Sequence, residues 1–179
     1  MFNRGILGMV LAITLLVSCS AEQGVPKNEQ MKEQPDIQLS NATYTIGRDT
    51  ENPITIQASS ISLYLKTNKA LLEDITFEQQ DQQDQVDLTG SAQKATVDTE
   101  NYDVQLQGSI KISKKTENFT IEAENLSWTN DSQLLQSDEQ SPVYVSFNDG
   151  DTISGTGFSG NLKEGIYEFS SIEKGVLGK

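Results

Sequence analysis

Residues 119–128 read Phe-Thr-Ile-Glu-Ala-Glu-Asn-Leu-Ser-Trp, and the spacing of their apolar side chains decides the fold. Phe119 and Ile121 alternate with polar residues, which is the signature of a strand with one buried face. Then the pattern slips, because Leu126 and Trp128 stand three and five positions beyond the small residue Ala123. An odd step followed by a step of two suggests a bend or bulge. The same arrangement stacks as Ala58-x-x-Ile61-x-Leu63, Ala92-x-x-Ala95-x-Val97, Ala123-x-x-Leu126-x-Trp128 and Gly157-x-x-Gly160-x-Leu162, at spacings of 31 to 34 residues. We read each unit as two strands folded about a turn. Such units cannot close a core alone, and stacking them buries one continuous face. A stack that does not close into a barrel keeps a free edge at each end, and free edges pair with other chains.

Outward from that segment the alternation continues in Ile54 and Ile56, in Ile61, Leu63 and Leu65, in Val104 and Leu106, in Ile110 and Ile112, and in Val143, Val145 and Phe147. Turn-forming clusters separate these runs: Lys66–Lys69, Asp98–Asn101, Lys114–Asn118, Thr129–Ser132, Asn148–Asp151 and Lys163–Gly165. Short strands at such spacing predict an antiparallel all-β fold of the sandwich or barrel-like kind. The span 39–179 is long enough to bury roughly two-thirds of its unfolded surface, so one domain suffices. Before it, residues 19–38 are polar, contain Pro26 and Pro35 and lack periodicity, which reads as a flexible tether.

The N-terminus has a different character. Met1-Phe-Asn-Arg4 carries one positive charge, and Gly5–Val17 is apolar and uncharged. That is the layout of a signal peptide over residues 1–18, shorter than the roughly 20 apolar residues of a membrane span. A short anchor helix is the alternative. The run closes as Leu16-Val17-Ser18-Cys19, which resembles the lipobox of bacterial lipoproteins and implies lipidation at Cys19; a cysteine that only ends the run is the alternative. Each buried acyl CH₂ contributes about 0.8 kcal/mol, so two or more chains hold such a protein firmly to a membrane surface. Ser20 leaves the choice of membrane open.

Composition limits the chemistry. The chain has no histidine and one cysteine, so lipidation of Cys19 leaves neither the commonest general base and metal ligand nor a thiol. No cofactor or metal and no catalytic residue is expected, and the chain is not read as an enzyme. The acids Asp74, Glu78, Asp81, Asp84 and Asp87 surround a glutamine-rich run without an apolar wall, which fits a solvated hairpin tip better than a glycosidase pair. Asn148-Asp-Gly-Asp151 resembles part of a calcium loop but lacks the completing bidentate acid, and reads as a hairpin turn with Gly150 at positive φ. Net charge is −13; loss of residues 1–18 removes Arg4 and no acid, leaving 12 bases against 26 acids, or −14. So acidic a chain repels nucleic acid.

One segment carries a more specific resemblance. Ala123–Trp128, Leu134–Asp138, Ser141-Pro-Val-Tyr-Val145, Asp149-Gly-Asp-Thr-Ile-Ser-Gly-Thr-Gly-Phe158, Tyr167-Glu-Phe169 and Gly175-Val176 follow one another in an order that resembles the LptC family, with strands similar to those of LptA. The resemblance implies an open, twisted antiparallel β-jellyroll on the periplasmic face of the envelope, with the inner membrane favoured. It implies a non-catalytic subunit that accepts lipopolysaccharide or a related glycolipid from an inner-membrane ABC transporter's permease subunits and passes it to an LptA-like protein. On that reading Ile61, Leu63, Leu106, Ile121, Trp128, Val145, Gly155, Gly157 and Phe158 belong to an apolar trough. Ile166, Tyr167, Phe169 and Val176 belong to the edge offered to LptA, and Tyr44 and Ile54 to the edge that faces the transporter. The competing expectation is a spacer or surface lipoprotein with a fully packed interior.

Overall fold

The computed structural model describes residues 34–48, 51–147, 149–161 and 164–177. Cys19, the apolar run before it and most of the expected tether lie outside the described residues, as do Asn148 and Leu162. Among the described residues every regular element is a strand: β1 Ile37–Arg48, β2 Glu51–Tyr64, β3 Lys69–Gln80, β4 Val86–Asp98, β5 Val104–Lys114, β6 Phe119–Thr129, β7 Leu134–Gln136, β8 Pro142–Phe147, β9 Thr152–Asn161 and β10 Ile166–Val176. They form one antiparallel sheet in chain order from β1 to β6; β7 and β8 then both bridge β6 to β9, and β10 closes the far side. Strand pairing starts at Ile37 and Gln38, opposite Leu63 and Ser62, two residues inside the expected tether. Asp36 adds to it, its carboxylate accepting the Leu65 N–H at 2.8 Å.

A line of bends crosses the whole sheet. Asn41 on β1 (φ 49), Asp74 on β3 (φ 48), Gly108 and Ser109 on β5 (φ 79 and 46) and Gly157 on β9 (φ 63) all take the left-handed conformation. These are residue types that tolerate it, by a short polar side chain or by lacking Cβ. The ladder skips the residues they face, Ser59, Gln93 and Glu124, and between β7 and β8 the strand is interrupted at Ser137–Ser141. Buried positions therefore step by three across the bend: Ala58 to Ile61, Leu72 to Ile75, Ala92 to Ala95, Ala123 to Leu126. On β5 the step from Leu106 to Ile110 is four, because Gly108 and Ser109 together add a residue to the register.

This corrects the reading of the repeat. Each unit is one long strand that crosses the bend, on β2, β4, β6 and β9, so the spacing of 31 to 34 residues is that of a strand pair. The fourth copy also sits two residues earlier than expected, as Gly155-x-x-Phe158-x-Gly160. Those three residues are buried, and Gly157 is the bend itself.

The bends fold the sheet into two layers. Leu72, Leu106, Leu126 and Phe158 stand on one side of the bend line, and Ile56, Ile75, Ile112 and Val143 on the other. Their inward faces meet across the fold, as where Phe119 lies edge-on to Tyr167 with ring centroids 5.0 Å apart. No polar or charged residue is buried among those described. Polar groups are instead satisfied at the strand ends, where turns carry left-handed residues (Asn68, Asp84, Tyr102, Asn118, Gln133, Gly150, Gly165). Gly150 is the residue expected to supply that conformation, and its N–H donates to the Phe147 carbonyl at 3.0 Å. Two acids join neighbouring strand ends: Asp87 accepts from the Thr116 N–H at 2.8 Å and hydroxyl at 3.0 Å, and Asp103 from the Asn130 N–H at 2.8 Å.

Candidate functional site

Between the two layers, on the β1–β5 side, lies a cavity of about 580 Å³. Ile46, Ile54, Ile56, Phe77, Leu88 and Ile112 line it from one layer, and Tyr102, Val104, Leu106, Trp128 and Leu135 from the other. Polar residues complete it at the strand ends: Asn52, Gln79, Gln80, Asp81, Gln82, Asp87, Lys114 and Gln133. The space persists because Phe77 does not fill it. Its ring lies against Gly90, where a Cβ would come 2.1 Å from the ring's tip, and Gly90 faces Phe77 in the β3–β4 register. An apolar hollow of this size falls in the range of small-molecule sites, roughly 300–1,000 Å³, whose walls are apolar and whose few polar groups fix orientation.

Toward β9 and β10 the interior is filled. Phe158 is 1% exposed, stacks with Tyr167 at 6.3 Å and meets Phe169 edge-on at 5.3 Å. The Tyr167 hydroxyl donates across the layers to the Glu117 carboxylate, which also pairs with Lys114 at the cavity. Burial, and after it the hydrogen bond and charge of Glu117, hold the Tyr167 phenol above its ordinary range. Gly160, opposite Tyr167, leaves room for this packing, since a Cβ there would lie 2.8 Å from the Phe158 ring.

The residues expected to share a trough therefore separate. Leu106 and Trp128 line the cavity. Ile61, Ile121, Val145 and Phe158 are packed core, Leu63 is half-buried against it, Gly155 is buried and Gly157 forms the bend. Of the edge residues, Tyr44 lies on β1 and Ile166, Tyr167, Phe169 and Val176 on β10, the two outermost strands. Ile54 does not: it is on β2, paired on both sides, and its side chain faces the cavity. Within β10, Tyr167 and Phe169 turn inward onto Phe158, so the exposed large apolar side chains are Ile166, Ile172 and Val176. The acidic glutamine-rich tip, read as a solvated hairpin, is one: Asp81 accepts from the Gln83 and Gln85 N–H groups at 2.8 and 2.9 Å. What the sequence reading missed is that this tip borders the cavity. It also missed Phe77 and Leu88, because their diagonal neighbourhood across β3 and β4, with Phe77 facing Gly90 and Leu88 facing Gln79, is a fact of register.

A folded antiparallel sheet with an apolar hollow between its layers and, among the described residues, an outermost strand at either end that is paired on one side alone defines an open β-jellyroll. The family described as "Lipopolysaccharide-assembly, LptC-related" matches residues 6–177, and the chain belongs to it. No curated protein matches the chain in sequence. Among solved structures it is similar to LptH of Pseudomonas aeruginosa, described as the LptA-homologous periplasmic component of the conserved lipopolysaccharide transport device. The TM-score is 0.55 at 16% identity, covering 72% of this chain and 96% of that one. The shared feature is the fold.

Proposed function

We propose that the chain is a relay subunit of lipopolysaccharide assembly. It stands on the periplasmic face of the envelope, lipid-anchored through Cys19, accepts a glycolipid from an inner-membrane ABC transporter and hands it to an LptA-like protein without chemical change. The observation that carries this reading is the interlayer cavity with its apolar walls and polar strand-end border, which suits the acyl part of an amphiphile inside and its headgroup outside. Family membership supports the cargo, and the outer strands β1 and β10, each paired on one side alone among the described residues, supply edges for partners in line.

The test is photo-crosslinking in cells, with the probe at Phe77, Leu106 or Trp128 in the cavity wall, at Ile121 or Val145 in the packed core, and at Glu164 on the surface. Capture of glycolipid at the cavity positions alone is the expected result. Failure at every position in a folded, abundant protein makes the hollow a packing defect and the chain a spacer.

A further inference from the structure

The backbone passes from one layer to the other at the bend line, so away from it the layers meet through side chains. The cavity is partly open to solvent there. Gln80, Gln82 and Lys114 border it from strand ends and turns of one layer, and Tyr102 and Gln133 from turns of the other. Backbone ladders from β1 to β6 bar passage through the sheet itself, which leaves entry between the layers. Beside Lys114 the layers are tied. Glu117, in the turn between β5 and β6, holds Lys114 and also accepts the hydroxyl of Tyr167, which stands on β10 in the other layer. The Lys114 and Glu117 side chains are only 22% and 27% exposed, so this charge-assisted bond is less diluted by water than one on the open surface. Burial and the neighbouring carboxylate keep the phenol protonated, and therefore a donor, at neutral pH.

We propose that the Tyr167–Glu117 hydrogen bond is a clasp that limits how far the two layers part, and that acyl chains enter and leave the cavity between the strand ends when it opens. The proposal rests on the relay reading and deepens it, by naming the route and the residues that govern it. Neither Tyr167 nor Glu117 lines the cavity, so both act by position and not by contact with lipid. Trp128, the chain's single tryptophan, lies in the cavity wall and reports occupancy directly.

The full-length chain is mixed rapidly with a glucosyl lipid that carries one bromine-labelled acyl chain, and the rate of Trp128 quenching is followed. Recovery is then timed after dilution into the unlabelled lipid. Tyr167→Phe removes the hydroxyl and keeps the ring against Phe119 and Phe158. Glu117→Ala removes the acceptor from a turn whose backbone bond, from the Asn118 N–H to the Lys115 carbonyl at 3.2 Å, does not need that side chain. We expect quenching and recovery to speed up together in each variant by about tenfold, the scale on which a hydrogen bond to a charged group acts. The half-quenching concentration should stay nearly the same, because entry and exit cross one opening. A merely structural role would lower the melting temperature and leave both rates alone. Unchanged or slower rates in the variants that fold overturn the clasp and move entry to the β1 edge, with the relay reading intact. Absence of quenching in the unmodified chain overturns the relay reading and the clasp with it.

Discussion

Two buried positions of similar hydrophobicity separate the core from the cavity. Ile121 is fully enclosed, so Ile121→Ala removes packed contacts and should cost about 2–5 kcal/mol by chemical denaturation. Leu106 already faces open space, so Leu106→Ala should cost less than that and enlarge the hollow instead. At Gly90 the opposite change is informative. A methyl group there would displace the Phe77 ring, and Gly90→Ala is expected to destabilise by roughly 1–3 kcal/mol while driving the ring into the cavity, seen as weaker quenching of Trp128 by brominated lipid. Tyr167 titrates above its ordinary range because burial and Glu117 disfavour the phenolate. The unfolded chain ionises that tyrosine first, near pH 10, so its contribution is intact below that pH and lost as pH rises toward the folded-state value. Thermal unfolding between pH 9 and 11 should therefore fall less steeply in Tyr167→Phe than in the unmodified chain; parallel slopes would remove Tyr167 from the account.

Long strands bend here and stay paired on both sides of the bend, and they do so at residues suited to one backbone conformation. Gly157 combines positive φ with a side-chain neighbour, Ser170 Oγ, only 2.4 Å from where a Cβ would stand, whereas Gly175 has nothing within 4 Å. Gly157→Ala should cost about 1–2 kcal/mol in left-handed strain alone, and Gly175→Ala should be within about 0.5 kcal/mol of neutral, a contrast measurable by urea denaturation. The odd step in the sequence announced the bend, because buried faces must stay inward on both sides of it. It could not say whether the chain turned back at that point or ran on, since a slipped apolar pattern looks the same in both cases. Strand pairing decides: the ladder resumes beyond the bend with the same partner from β1 to β6 and between β9 and β10, while β6 and β9 pass from β8 to β7.

At the scale of the molecule the outer edges of β1 and β10 are what remains unpaired among the described residues. Ile172 on β10 is 63% exposed and Ile166 52%, an apolar edge that invites another strand. Replacing both by lysine, I166K/I172K, should leave the melting temperature unchanged, as surface positions do, and abolish pull-down of an LptA-like partner from cells; retained binding would move the docking surface elsewhere. The aromatic packing of Phe119, Phe158 and Tyr167 ties β6, β9 and β10 together beside that edge. The sequence by itself determined the antiparallel all-β class, the positions of nearly all the turns, the place of the bend and the family, because each depends on residues close together in the chain: alternation, turn formers, an odd step, an ordered run of short motifs. Tertiary structure alone decided which inward side chains border open space and which are packed, that Ile54 faces the cavity and not an edge, and that the acidic hairpin tip borders the hollow. Those depend on which strand lies opposite which and on how two layers of one sheet meet, and apolar side chains alternate in the same way whether they face a neighbour or an empty space.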